Sequence, residues 1–150
     1  MPSHVRDNFG GLLAQAGRQW RRAIDLRLRP FGLTDATWLP LLHLSRAEKP
    51  MRQKDLALAL SLDSSSVVRL LDALQASGFI ERREQPDDRR VKTIVLTDAA
   101  QTVLANVESV TREVRAQVLA GLTDEQLEVA SHVMRNISSA LDTTDPEDAD

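Results

Sequence analysis

The chain has 150 residues, 42% of them hydrophobic, with six glycines, six prolines and no cysteine. That is enough apolar content for one globular core, and the missing cysteine excludes disulfides, thiol catalysis and thiolate metal sites. The net charge of −3 hides an asymmetry: residues 1–33 carry six Arg against two Asp, while residues 98–150 carry three Arg against eleven acids. A basic face on the remainder is therefore compatible with an acidic whole. No apolar run reaches the ~18 residues of a membrane span, and the N-terminus lacks the apolar core of a signal peptide. A cytoplasmic protein is expected.

The first element is a helix from Asn8, with apolar residues at Phe9, Leu12, Leu13, Ala16, Trp20, Ala23 and Ile24 in helical spacing. Asp25 and Arg29 can pair across one turn of its other face, and Pro30 and Gly32 end it. A second helix runs to about Ala47. Thr34 or Asp35 can cap it, but Pro40 lies within that span, and a proline in the first turn would instead move the start to near Trp38. Pro50 is the next break.

"MRQKDLALALSLDSSSVVRLLDALQASG" reads as two helices with a tight join. The first spans about Gln53 to Leu60, and Ser61 and Leu62 turn the chain. Asp63 or Ser64 caps the second, which buries Val67, Leu70, Leu71 and Leu74. Gly78 is suited to terminate it. "FIERRE" and "VKTIVLT" then read as two strands joined by the polar loop Gln85 to Arg90. A long helix after Thr97 places Ala100, Val103, Leu104, Val107, Val110, Val114 and Val118 on one stripe and stops at Gly121. Thr123 and Gln126 form a capping box, and the last helix shows Leu127, Ala130, Val133, Ile137 and Leu141. The ending at 142–150 is acidic, lacks large apolar residues and is expected to be disordered.

Two constellations carry chemistry. A helix pair with a short join can present its second helix to the DNA major groove, N-terminal residues nearest the bases. Here these are Ser64, Ser65 and Ser66, followed by Arg69. Small hydroxyls allow close approach and can bond phosphates or base edges, although a serine at a helix start can also be only a cap. Arg69 is long enough for a bidentate bond to guanine. The second constellation is "PDDRR" at 86–90. A charge run is ordinarily a solvated loop, but an arginine at a narrow β-tip fits the DNA minor groove. Asp88 can brace Arg90 by a charge-assisted bond, and Arg89 is placed for an additional backbone contact. His4, His43 and His132 show no metal-binding spacing, and no phosphate-cradling loop or nucleophile motif appears. No metal, cofactor or catalytic residue is expected.

The segment Thr34 to Thr97 resembles the winged helix-turn-helix of the MarR family of transcriptional regulators. The resemblance rests on "LT" and Trp38 at 33–38, "VVRLLDALQASGFIERR" at 67–83 and "DDRRVKTIVLT" at 87–97. Asp88, Arg90, Leu96 and Thr97 fill the family's wing pattern, and "RQWRRAIDLRLRPFGLT" at 18–34 is similar to the SlyA branch. The resemblance covers roughly residues 8 to 141. It implies a mainly α fold with a small β-hairpin. Residues 34–97 would form the DNA-binding lobe, and 8–33 and 98–141 the dimerisation helices, within a single domain over 1–150. It also implies a homodimer acting as a ligand-responsive repressor on a palindrome in double-stranded DNA. A small aromatic carboxylate would be held by Arg18, Arg21 and Trp38, although Trp38, like Trp20, can instead be a core residue. This branch can carry a His four residues after that Trp, where this chain has Leu42. The other reading is a winged-helix module that binds protein and not DNA.

Overall fold

The computed structural model of the chain describes residues 4–142. Among them, helices α1 (His4–Leu28), α2 (Asp35–Arg46), α3 (Gln53–Leu60) and α4 (Ser64–Ala76) precede an antiparallel hairpin, β1 (Ile80–Glu84) and β2 (Lys92–Leu96). Helices α5 (Asp98–Val118) and α6 (Asp124–Asp142) follow, and a 3₁₀ turn at Arg29–Phe31 separates α1 from α2. The fold is mainly helical with one small hairpin, as the sequence predicts. The chain divides into two compact units, Met1–Val114 and Arg115–Asp150, with the boundary inside α5.

Local signals explain most of the ends. Gly32 and Gly78 take the left-handed conformation, with φ of 74° and 80°, which L side chains adopt only with strain. Gly78 lies just past α4, and the Phe79 N–H closes the helix end by donating to the Leu74 carbonyl at 3.0 Å. Ser61 does the same job after α3, at φ 53°. Of the two possible caps for α4, the structure uses Asp63, whose carboxylate accepts from the Ser66 N–H at 2.7 Å.

Of the two starts that the sequence allows for α2, the structure takes the earlier: Thr34 is the N-cap and the helix starts at Asp35, so Pro40 lies beyond its first turn. The Thr34 carbonyl accepts from the N–H groups of Thr37 and Trp38, at 3.0 and 2.9 Å, so the first turn forms without help from proline. An interior proline costs about 3 kcal/mol. Burial of Trp38, Leu41 and Leu42 on the same helix, at ~1.5–3 kcal/mol per large apolar side chain, is enough to offset it.

In the first unit, two apolar clusters share α2 and α5. One gathers Leu41, Leu56, Val67, Leu71, Ile80 and Leu104 and holds the helix pair against the hairpin. The other joins Ile24, Leu28, Trp38, Leu42, Val107 and Val114, which packs the C-terminal half of α1 onto α2 and α5. Leu70 is only half-buried, a small departure from the expected stripe. The hairpin pairs Ile80 with Leu96, Arg82 with Ile94 and Glu84 with Lys92. An edge contact absent from the sequence reading extends it: Arg52 bridges to Thr93, and the Ile94 N–H donates to the Met51 carbonyl at 2.9 Å.

In the second unit, the expected capping box starts α6. The Thr123 N–H donates to Gln126 Oε1 at 3.0 Å, and the Gln126 N–H to Thr123 Oγ1 at 3.2 Å. No residue of α6 is buried, and Val118 at the end of α5 is exposed. The N-terminal half of α1 likewise leaves Val5, Phe9, Leu12 and Leu13 exposed. Of the acidic stretch expected at 142–150, Asp142 is the last residue of α6; residues 143–150 lie outside the described residues.

Candidate nucleic-acid interface

The start of α4 is a polar tip. Asp63 Oδ1 accepts from the Ser66 N–H at 2.7 Å and from the Ser65 hydroxyl at 2.9 Å. These bonds hold the Asp63 carboxyl below its ordinary range. The Ser66 backbone N–H is the largest cause, the Ser65 and Ser66 hydroxyls add to it, and the charge of Arg69 contributes. Ser64 and Ser65 are exposed and Ser66 is half-buried. Arg69 is exposed one turn further on, with no hydrogen bond or ion pair among the described residues. The tip thus offers small hydroxyls and one long unpaired cation.

The loop between the strands is the second element. Asp88 Oδ1 accepts from the Arg90 N–H at 3.0 Å and from Arg90 Nε at 3.3 Å, so the expected brace is present. The Val91 N–H donates to the Asp88 carbonyl at 3.1 Å, and the Gln85 N–H to the Val91 carbonyl at 2.9 Å, which closes the loop on itself. The Arg90 side chain is 93% exposed, against 41% for Asp88. Its guanidinium is oriented while its outer edge stays open to a ligand. Arg89 is also exposed.

Sequence reasoning missed one contact in this region. Arg82 Nη2 of β1 meets Asp72 Oδ1 of α4 at 2.6 Å. The only sequence signal was two opposite charges ten residues apart across a glycine turn, and many such pairs never meet.

The candidate ligand residues separate. Arg18 and Arg21 lie together in a groove of about 560 Å³ along α1, with Leu13, Arg22, Asp25 and Asp35. Trp38 does not line this groove. It is 1% exposed and belongs to the core, and its indole N–H donates to Asp25 Oδ1 at 3.3 Å. Asp25 also pairs with Arg29 at 3.6 Å. Trp20 is half-buried against the same core cluster. His43 is held below its ordinary pKa by burial first, then by the charges of Arg46 and Arg21. Among the described residues, no cluster of histidines and acids is suited to a metal ion, and no helix is long and apolar enough to cross a membrane.

A family model described as MarR family matches residues 31–91. The crystal structure of the transcriptional regulator PA3341 is 38% identical to the chain, with a TM-score of 0.84, covering 90% of this chain and 98% of that one. The chain belongs to the MarR family. It is a MarR-family transcriptional regulator with the winged-helix fold. Two other solved structures share the fold. CouR from Rhodococcus jostii RHA1, bound to p-coumaroyl-CoA, is 24% identical at a TM-score of 0.78 and covers 90% of this chain and 94% of its own. MepR from S. aureus, in complex with DNA, is 22% identical at 0.74, covering 88% and 97%. In this MarR-family chain the matched span contains Ser64, Ser65, Ser66, Arg69, Asp88, Arg89 and Arg90, while Arg18 and Arg21 lie outside it.

Proposed function

We propose that this MarR-family regulator binds a palindromic operator in double-stranded DNA as a homodimer and represses transcription until a small molecule releases it. The observation that carries the reading is the pair of exposed arginines on separate elements of one lobe. Arg69 stands one turn into α4, and Arg90 stands at the loop tip with Asp88 orienting it. In this reading Ser64, Ser65, Ser66 and Arg69 face the major groove, where arginine matches guanine O6 and N7. Arg90 enters the minor groove, where negative potential is enhanced, and Arg89 touches the phosphate backbone. The DNA complex of MepR supports the general mode of binding.

The homodimer is supported by the exposed apolar residues of α1 and α6, such as Leu12 and Val129. Single exposed apolar residues are ordinary, but helices of this length with no buried residue, as in α6, ordinarily find a partner. Dimer symmetry would then set half-sites about one helical turn apart.

For the effector we propose a small aromatic carboxylate, on a SlyA-like plan, with Arg18 and Arg21 as the anion-binding groups. Guanidinium–carboxylate pairing is strong and directional. Trp38 would act beneath that groove, through its bond to Asp25, and not by stacking on the ligand. The p-coumaroyl-CoA complex of CouR supports a small-molecule effector in general. The protein would work in the cytoplasm, without a catalytic step.

The test is binding to the DNA upstream of the protein's own gene across a salt series, with and without salicylate. Phosphate contacts make the logarithm of affinity fall linearly with that of salt. Affinity that ignores salt would instead favour a winged-helix module for protein partners.

A further inference from the structure

The Asp72–Arg82 pair joins the two elements to which the DNA-binding reading gives contacts. Asp72 lies three residues after Arg69, on the same helix. Arg82 sits on β1 two residues before its end, and the loop carrying Arg90 begins at Gln85. Among the described residues this is the one side-chain hydrogen bond between α4 and the hairpin, at 2.6 Å. It is also set differently from the other ion pairs of the lobe. The Arg82 side chain is only 22% exposed, and its Nε is buried with no hydrogen-bond partner. A guanidinium in that state depends on its remaining partner, because a partly buried charge left alone is strongly unfavourable. Arg82 also stands opposite Ile94 in the hairpin register, and Ile94 belongs to the core that α4 packs on.

We propose that Asp72 and Arg82 are positioning residues, a clamp that fixes the wing relative to the recognition helix and so couples the DNA contacts of Arg90 to those of Arg69. The inference rests on the DNA-binding reading above. Its physical basis is preorganisation. A two-stranded hairpin is marginally stable by itself, and a wing free to rock would lose conformational entropy on binding. With the clamp closed, that freedom is already lost in the unbound protein. Arg90 then arrives at its groove when α4 enters its own, and its full contribution is realised.

The test is a double-mutant cycle on the full chain, read as affinity for operator DNA, with melting temperatures recorded for every variant. In the otherwise unaltered protein, Arg90→Ala is expected to weaken binding roughly tenfold. In an Asp72→Ala background, which leaves no acceptor for Arg82, the same substitution is expected to cost less than about threefold, because a loosened wing contributes little to lose. Asp72→Glu, which keeps the charge, should restore most of the Arg90 effect, and it keeps the test decisive if Asp72→Ala folds poorly. A pair that serves stability alone would lower the melting temperature and leave the Arg90 penalty unchanged; that result overturns the clamp and spares the DNA reading. If Arg90→Ala has no effect in the unaltered protein, the wing's part in DNA binding is overturned and the clamp falls with it.

Discussion

Asp88 and Arg90 are joined twice at the wing tip, through the Arg90 backbone N–H at 3.0 Å and its guanidinium Nε at 3.3 Å, both to Asp88 Oδ1. The acid fixes the direction of the cation without covering it. Asp88→Ala should therefore weaken operator binding even though it removes a negative charge from the surface proposed to face DNA. An exposed pair of this kind is worth up to ~1 kcal/mol, so the expected loss reaches about fivefold. Tighter binding in a fluorescence titration would refute the bracing role.

The arginines should differ in kind. Arg69→Ala is expected to cost ~1–3 kcal/mol on the operator and to relax base preference at one position per half-site. Arg89→Ala should weaken all sequences similarly and lower the salt slope by about 2, one phosphate contact being lost in each half-site. Binding to operator variants and to random DNA separates them. Equal losses on both for Arg69→Ala would remove its readout role.

Stability should fall in mildly acidic buffer because of His43. Its folded pKa is depressed below the ordinary 6.5 by burial and by Arg46 and Arg21, so the unfolded chain binds the proton more readily. The His43 contribution is present above about pH 6.5 and is lost as pH falls through the folded pKa. Melting curves from about pH 7 to 5 should show a drop in the wild type that His43→Gln flattens. Asp55 and Asp63, both depressed from 3.8, have the same sign but act only below about pH 4, which keeps the two windows apart. An unchanged slope in His43→Gln would assign the drop to other groups.

Leu12 and Val129 are 63% and 66% exposed. Leu12→Glu combined with Val129→Glu should cost the single chain little, since exposed substitutions ordinarily stay within ~0.5 kcal/mol. For the proposed homodimer, sedimentation should nonetheless shift from two chains to one, and operator affinity should collapse. A two-chain species that persists would place the dimer contact on other residues.

Much of the fold was legible because its punctuation is local. Asp63, Gly78, and the box of Thr123 with Gln126 each satisfy backbone groups within a few residues of themselves. The helix and strand limits around them follow from composition and spacing. The wing brace was legible for the same reason, since Asp88 reaches only two residues along the chain. Pro40 left the start of α2 open between Asp35 and Trp38, and the burial of Trp38, Leu41 and Leu42 outweighs its local preference. The edge contact of Arg52 with Thr93 left no local trace.

By itself, then, the sequence determined which segments are helices, where the hairpin turns and which arginines stand at its tip, because these depend on interactions a few residues long. Only the tertiary structure decided that Trp38 is core, packed with Ile24 and Val107, and that Arg82 of the wing is held by Asp72 of α4. Those relationships join residues on different elements. Their free energy comes from burial and from charge pairing at close range, and neither exists until the elements have packed.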